Sequence, residues 1–478
     1  MGPTLSVYEE SNKMLPRLVT IIIVQAALLT FPLQALPQAT GPVHNLTSDK
    51  SYLTIQEAID DANESDSILV EHGIYQLSAP IVVDKSLTLT GDTESPQSVS
   101  IWAPVAGPDR DCFQIIANEV TIEGFQMLGA QDTETNTNSA IAVGNYSLAG
   151  IRDITISSCH MGYCSFGIFL YRAQHVTISE NKIWSCRTSD QQYANGKAIV
   201  IYGEGPAEQP QTYDIHIRNN DIFNNAFLGI QIDNQSVTGG PVNADVLIDN
   251  NIICNNGGPI DHIAPVDFYC GISSTGNTAN VTITHNHIYG HITGTYSRFH
   301  AASAAVRLGT EELPDTNWII AANTIYHNFR GIYIENAIDI DLSANHIYNN
   351  AQAIVVEDGN VGHAGVNIIR ENTVNTWAEF VCNAGFGSGD PNGCINRGPN
   401  TFDAAYNFWG HPSGPGGAGS GSGDPVSVNV NYQPYLAATP SVSNYQNPCP
   451  KGDLDGDCDV DFHDFAILAA SWSVATEP

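Results

Sequence analysis

One phrase returns along the chain: a triplet of alternating apolar and polar positions, two polar residues, an Asn, one residue, an Ile, then a turn. It reads VTISENKI ending at Ile183, IHIRNNDI at Ile222, VLIDNNII at Ile253 and VTITHNHI at Ile288. It continues as WIIAANTI to Ile325, IDLSANHI to Ile347 and VNIIRENTV to Val374, with looser early copies ending at Met127 and Met161. Successive strand residues face opposite sides, so Val176 and Ile178 of the first phrase point inward, and Ile183 turns in again beyond the bend. Repetition with a period in the twenties and thirties predicts a solenoid of stacked coils. On this register Asn181, Asn220, Asn251, Asn286, Asn323, Asn345 and Asn372 fall in one column. Rungs about 4.8 Å apart let each amide bond to the next, as in Asn ladders of stacked β structure. Asn also tolerates the left-handed backbone of a sharp bend.

A second strand follows each phrase: GIFLY from Gly167, AIVIY from Ala198, GIQID from Gly229, AVRLG from Ala305, GIYIE from Gly331 and AIVVE from Ala353. Gly or Ala at its start allows coil backbones to approach closely. The predicted class is all-β, a stacked tube with an Ile and Val core. Ahead of the repeats, Thr54 and Glu57 are spaced as a capping box for a short amphipathic helix carrying Ile55, Ala58 and Ile59. Such a helix would cover the open end of the tube, where strand edges are otherwise exposed. Taken with the repeat, residues 52–90 and the closing Asn407-Phe408-Trp409-Gly410 resemble the pectate-lyase-like right-handed parallel β-helix superfamily, over residues 50–440. The resemblance implies that fold. For function it implies only a range of lyases, hydrolases, epimerases, esterases, binding proteins and accessory factors.

Charge and termini narrow the range. Lys and Arg total 17 against 50 Asp and Glu, a net charge of −33, which argues against nucleic acid or an anionic membrane surface as partner. Residues 1–39 read as a signal peptide: Lys13 and Arg17 precede an apolar run from Leu18 to Leu29, with small residues at Ala35 and Ala39. No other stretch reads as a transmembrane segment, so the mature chain is expected to be secreted or at the cell surface. Ten cysteines suit an oxidising compartment. The sequence-near pairs Cys159/Cys164, Cys254/Cys270, Cys382/Cys394 and Cys449/Cys458 are the candidate disulfides.

Residues 441–478 form a spacer and an acidic loop. Asp453, Asp455, Asp457, Asp459, Asp461 and Asp464 stand at positions 1, 3, 5, 7, 9 and 12 of an EF-hand-like array, the spacing that gathers oxygens around one Ca²⁺. With the helix FAILAASW behind it, the segment resembles one repeat of a dockerin type I module, which implies Ca²⁺ binding and a cohesin-like or cell-surface attachment partner. It departs from that family in having one repeat instead of two and Cys458 where Gly is usual.

Coil spacing points to a working face. Bare coils take 22 residues, whereas the steps from Asn181 to Asn323 are 39, 31, 35 and 37. Serial insertions on one side of a solenoid build walls around a groove. In the second strands of those coils, alternation turns Tyr202, Asp233, Arg307, Tyr333 and Glu335 outward, with Lys197 and His300 nearby; Glu357 falls on a bare coil outside the groove. The catalytic candidates are Tyr202, Asp233, Arg307 and Glu335, and the substrate-binding candidates are Lys197, His300 and Tyr333. Aromatic rings stack on sugar faces and charged groups fix hydroxyls or uronates. Asp233 and Glu335 lie three rungs apart, about 14 Å, too far for a direct hydrolase pair. A loop carboxylate (Glu204, Asp261, Asp267 or Glu311) would have to complete one. Elimination from a uronate needs a base and a carboxylate-neutralising cation, which Lys197, Tyr202, Arg307 and His300 offer. No lyase or polygalacturonase signature is present. The expectation is a secreted polysaccharide-active enzyme, polysaccharide lyase or glycoside hydrolase. Beside it stand a non-catalytic glycan-binding or surface β-helix protein and a periplasmic accessory protein.

Overall fold

The computed structural model describes residues 43–440, apart from residues 131–137, 145–149, 188–195, 204–211, 235–242, 258–268, 292–302, 311–312, 358–360, 366 and 371–391. Three kinds of strand alternate along the chain, and each kind stacks on itself. One coil runs Gln174–Ser179, Lys182–Trp184 and Lys197–Gly203, and the next begins at Thr212–Arg218. The stacks form sheets A, B and C in that order, with 15, 11 and 13 strands among the described residues. Pairing between successive coils is parallel, as in Gln174–Ser179 on Thr212–Arg218. The exception is the short opening strand Val43–Asn45, antiparallel to Lys50–Tyr52 and Asp66–Val70.

Period-two alternation sets what each sheet buries. Ile178, Ile217, Ile248 and Ile283 lie in register on sheet A and are fully buried. Thr177, His216, Leu247 and Thr282 between them face outward. The all-β solenoid expected from the repeat is the architecture present. At the entry, helix α1 (Ile55–Asp61) carries the capping box, with Thr54 accepting from Glu57 N and the Glu57 carboxylate accepting from Thr54 N. Lys85 Nζ donates to the carbonyls of Ile59, Asp60 and Ala62 at its end.

The corner between sheets A and B holds the Asn column. Asn181 Nδ2 donates to Asn220 Oδ1 at 3.0 Å, and the chain of amides continues through Asn251, Asn286, Asn323 and Asn345. Each oxygen also accepts from the backbone N–H of the preceding ladder Asn, as Asn220 Oδ1 does from Asn181 N. Two details differ from expectation. Asn345 passes to Asn367 and then Asn407, not to Asn372, which lies outside the described residues; the bare 22-residue step ends at Asn367. The left-handed residue is the one before the ladder Asn: Glu180, Asn219, Asn250, Ala322 and Ala344 have φ of 55–58°. The Asn is therefore selected for its amide, not for its backbone.

Five residues further on, at the corner leaving sheet B, runs a second ladder. Asn225 donates to Asn256, Asn256 Nδ2 meets His291 Nε2 at 3.3 Å, His291 Nδ1 meets Asn328 Oδ1 at 2.8 Å, and Asn328 donates to Asn350.

The proposed disulfides are not formed: Cys159, Cys164, Cys254, Cys270 and Cys394 are buried thiols. Cys159 and Cys164 lie on opposite sides of the strand His160–Gly162, and both remain thiols. Cys254 ends a strand of sheet B and Cys270 begins one of sheet C. Cys394 remains a thiol, which removes its pairing with Cys382; Cys382, Cys449 and Cys458 lie outside the described residues. Near the far end, Phe408 pairs by backbone with Asn367 and Ile369, adding a rung below sheet B, and Trp409 is fully buried. Among the described residues no helix is long and apolar enough to cross a membrane. The segment expected to be a signal peptide and the acidic terminal loop lie outside those residues.

Candidate functional site

The corners decide which sheet carries the chemistry. In the coils from Gln174 to Tyr326 the chain crosses from sheet A to sheet B in two residues: Ser179 to Lys182, Arg218 to Asp221, Asp249 to Ile252, Thr284 to His287 and Ala321 to Thr324. Inserted chain falls elsewhere, at 185–196, 255–269 and 290–303 before sheet C, and at 204–211 and 235–242 after it. Both edges of sheet C are thus flanked by insertions. The coil after Arg370 also carries one, residues 371–393, so long coils are not confined to Asn181–Asn323.

On the outer face of sheet C the residues stand in columns. One runs Val200, Gln231, Ser273, Arg307, Tyr333, Val355. In the next, Tyr171, Tyr202 and Asp233 are neighbours. Extending the register two residues places Thr275, Gly309, Glu335, Glu357 and Arg397 on the following rungs.

The sequence-derived residues separate into two groups. Tyr202 stacks on Tyr171 with ring centroids 5.4 Å apart and tilts against Phe169. Asp233, beside it, accepts from Thr275 Oγ1 at 3.1 Å. Lys197 stands on the same face with its ammonium 5.5 Å and 5.4 Å from the Phe166 and Phe227 rings, a cation–π setting. Two coils beyond Asp233, Arg307 donates to Glu335 at 2.5 Å. Tyr333 lies under the guanidinium of Arg330, 4.7 Å from its ring centroid. Asp233 and Glu335 are separated by three rungs on this register, about 14 Å, so they are no direct pair. His300 and the loop candidates Glu204, Asp261, Asp267 and Glu311 lie outside the described residues, as do Asp453, Asp455, Asp457, Asp459, Asp461 and Asp464.

Sequence reasoning missed several members. Arg330 is fully buried, donates to Gln352 at 3.1 Å and packs over Phe329 as well as Tyr333. Burial lowers its pKa to about 10, so it stays cationic at neutral pH. Burial, together with Glu357 and Glu335, pushes the Tyr333 hydroxyl well above its usual value and keeps it a hydrogen-bond donor. Glu357 is not outside the site: it pairs with Arg397 one rung beyond Glu335. Arg330 hides in the sequence because it sits one residue before the Gly of its strand, at a position that alternation alone would not turn outward.

Sheet B offers a contrast. Its outer face carries an aromatic file: Tyr326 stacks between Tyr289 and Tyr348 with centroids 4.8 Å and 5.2 Å away. Tyr289 and Tyr326 are almost fully buried, so their ring faces serve one another. That is packing, and no insertion flanks it at the sheet A corner.

Two A-modules of mannuronan C-5 epimerases of Azotobacter vinelandii have the same fold, with TM-scores of 0.50 and 0.50 at 16% and 13% identity. The alignments cover 80% and 81% of this chain and 93% and 94% of those modules. A cell surface glycoprotein of Methanothermus fervidus is 37% identical over 90 residues, which is 19% of this chain and 14% of that protein. The chain therefore spans a small part of that relative's length. The family model described as right handed beta helix region matches residues 105–258 and 269–392. Those segments take in more than half of the chain and nearly all the rungs described above, and the chain belongs to the right handed beta helix region family.

Proposed function

We propose that the protein is exported and engages a polysaccharide along the outer face of sheet C, as a secreted or cell-surface β-helix. The observation that carries this is a local inversion of charge. In a chain of net charge −33, Lys197, Arg307, Arg330 and Arg397 gather on this one face with Asp233, Glu335 and Glu357 as its acids. Tyr202 and Tyr333 stand among them. Cations beside aromatic rings on one face suit hydroxyl- and carboxylate-bearing sugars. The likeness to a cell surface glycoprotein supports the location.

Chemistry on the bound chain, as lyase or glycoside hydrolase, is the second reading. It is favoured by Glu335 and Glu357 standing on adjacent rungs of one column, two carboxylates on one face as hydrolysis requires. It is opposed by their ion pairs, Glu335 with Arg307 and Glu357 with Arg397, which occupy both carboxylates. The terminal acidic loop is assigned one Ca²⁺ on its ligand spacing and serves surface attachment.

A glycan panel tests the reading. Binding measured by calorimetry, with neither new reducing ends nor unsaturated uronate absorbance, is the expected result. Product of either kind makes it an enzyme. Absence of both binding and product removes the glycan reading altogether.

A further inference from the structure

Gln231 and Ser273 occupy adjacent rungs of the column that continues to Arg307 and Tyr333. Alternation with the inward Ile230, Ile232 and Ile272 turns both side chains to the outer face. Gln231 is 4% exposed and Ser273 0%, so they lie low on the floor. Yet Gln231 Oε1 has no hydrogen-bond partner, and Ser273 Oγ reaches only the thiol of Cys270, a weak one. A buried amide oxygen without a donor destabilises a fold, and such atoms are rare enough to call for an explanation. Inside the ladders the buried amides are satisfied: Asn251 Oδ1 receives two donors from Asn220, whereas Asn243 Oδ1, on sheet A, shares the condition of Gln231. Gln231 is an exception on the face that the insertions flank.

We infer that Gln231, with Ser273 beside it, is the hydroxyl-reading position of the polysaccharide site, taking a hydrogen bond from an unsubstituted sugar hydroxyl. The inference rests on the proposed function and deepens it. An acceptor such as Oε1 repels a carboxylate and gains nothing from an ether oxygen; it needs an O–H. Two rungs away, about 10 Å, Arg307 presents N–H donors. The floor thus reads a donor at one end and an acceptor at the other, and a glycan methylated or acetylated at the first position loses its contact.

Gln231→Leu keeps the size of the side chain and removes the acceptor. With no glycan present, its Tm is expected to equal or exceed that of the wild type, because an unsatisfied polar atom has gone. Affinity for the glycan identified on the panel is expected to fall about ten- to a hundredfold, and Ser273→Ala to show a smaller loss. A lower ligand-free Tm in Gln231→Leu would show the oxygen to be satisfied within the fold, for instance by a trapped water, and overturns the inference. Retained affinity in Gln231→Leu alongside loss in Arg307→Ala overturns it too, while leaving the glycan site standing. Wild-type affinity in both variants, or no binding by the wild type, removes the site and the inference together.

Discussion

A histidine sits where the second ladder would otherwise hold an Asn, and its surroundings fix its protonation. Asn256 Nδ2 can only donate, so His291 Nε2 must accept; His291 Nδ1 then gives its proton to Asn328 Oδ1. Protonating Nε2 would set two donors against each other. Full burial lowers the His291 pKa to about 4 from 6.5. The folded value lies below the unfolded one, so above pH 6.5 the group is neutral in both states and has no effect. As pH falls from 6.5 to 4 the unfolded chain gains a proton the folded chain refuses, and stability drops by about 1.4 kcal/mol per pH unit. His291→Asn should therefore leave Tm near its wild-type value at pH 7 and flatten its decline between pH 6.5 and 4. An identical decline in wild type and variant would exclude His291 as the source. In the first ladder, Asn251 donates to Ile217 O and Asn286 Oδ1 and accepts from Asn220. Asn251→Ala should lower unfolding free energy by about 3 kcal/mol, read by denaturant titration.

Strands and corners were unequally legible in the sequence. The alternation of Val176, Ile178 and Ile183 gave the facing of sheet A and the first ladder, because burial and period agree there. In the outward run on sheet C, Tyr202 does stand beside Asp233, and Arg307 beside Tyr333. The second ladder was present in the letters as an Asn or His five residues after the first, in NDIFNN and NHIYNN, but Cys186 and His291 break the column for the eye. Asn372 misled for a related reason: it stands five residues after Asn367 and mimics the phrase. Arg330 and Gln231 were not legible, since only packing tells a buried outward residue from a solvated one. The sheet B file gives a test at this scale. Tyr326→Ala removes the middle ring of its stack and should cost about 3 kcal/mol, Tyr326→Phe far less, with glycan affinity unchanged in both. A loss of affinity would place ligand on sheet B instead.

For the whole molecule, the acidic terminal loop and the tube should behave as separable units. Asp453→Ala combined with Asp464→Ala should abolish Ca²⁺ binding in calorimetry while the Tm of the β-helix stays put; unchanged affinity would reduce the loop to a solvated tail. The ladders carry a further consequence, for mechanics. Strand-to-strand bonds and both rows of amides link each coil only to the next, so tension applied between the two ends is borne in series, one rung at a time. The amide rows stop at the N–H groups of Cys159 and Cys186, and the earlier coils are joined by sheet bonds and scattered side-chain bonds such as Thr90 to Glu123 instead of a continuous row. Pulled from its ends, the tube should fray from that side first. Stretching should advance in discrete extensions, a 22-residue coil such as that from Asn323 to Asn345 releasing about 75 Å of chain, and a fastening that gives way by coils dissipates load long before it fails.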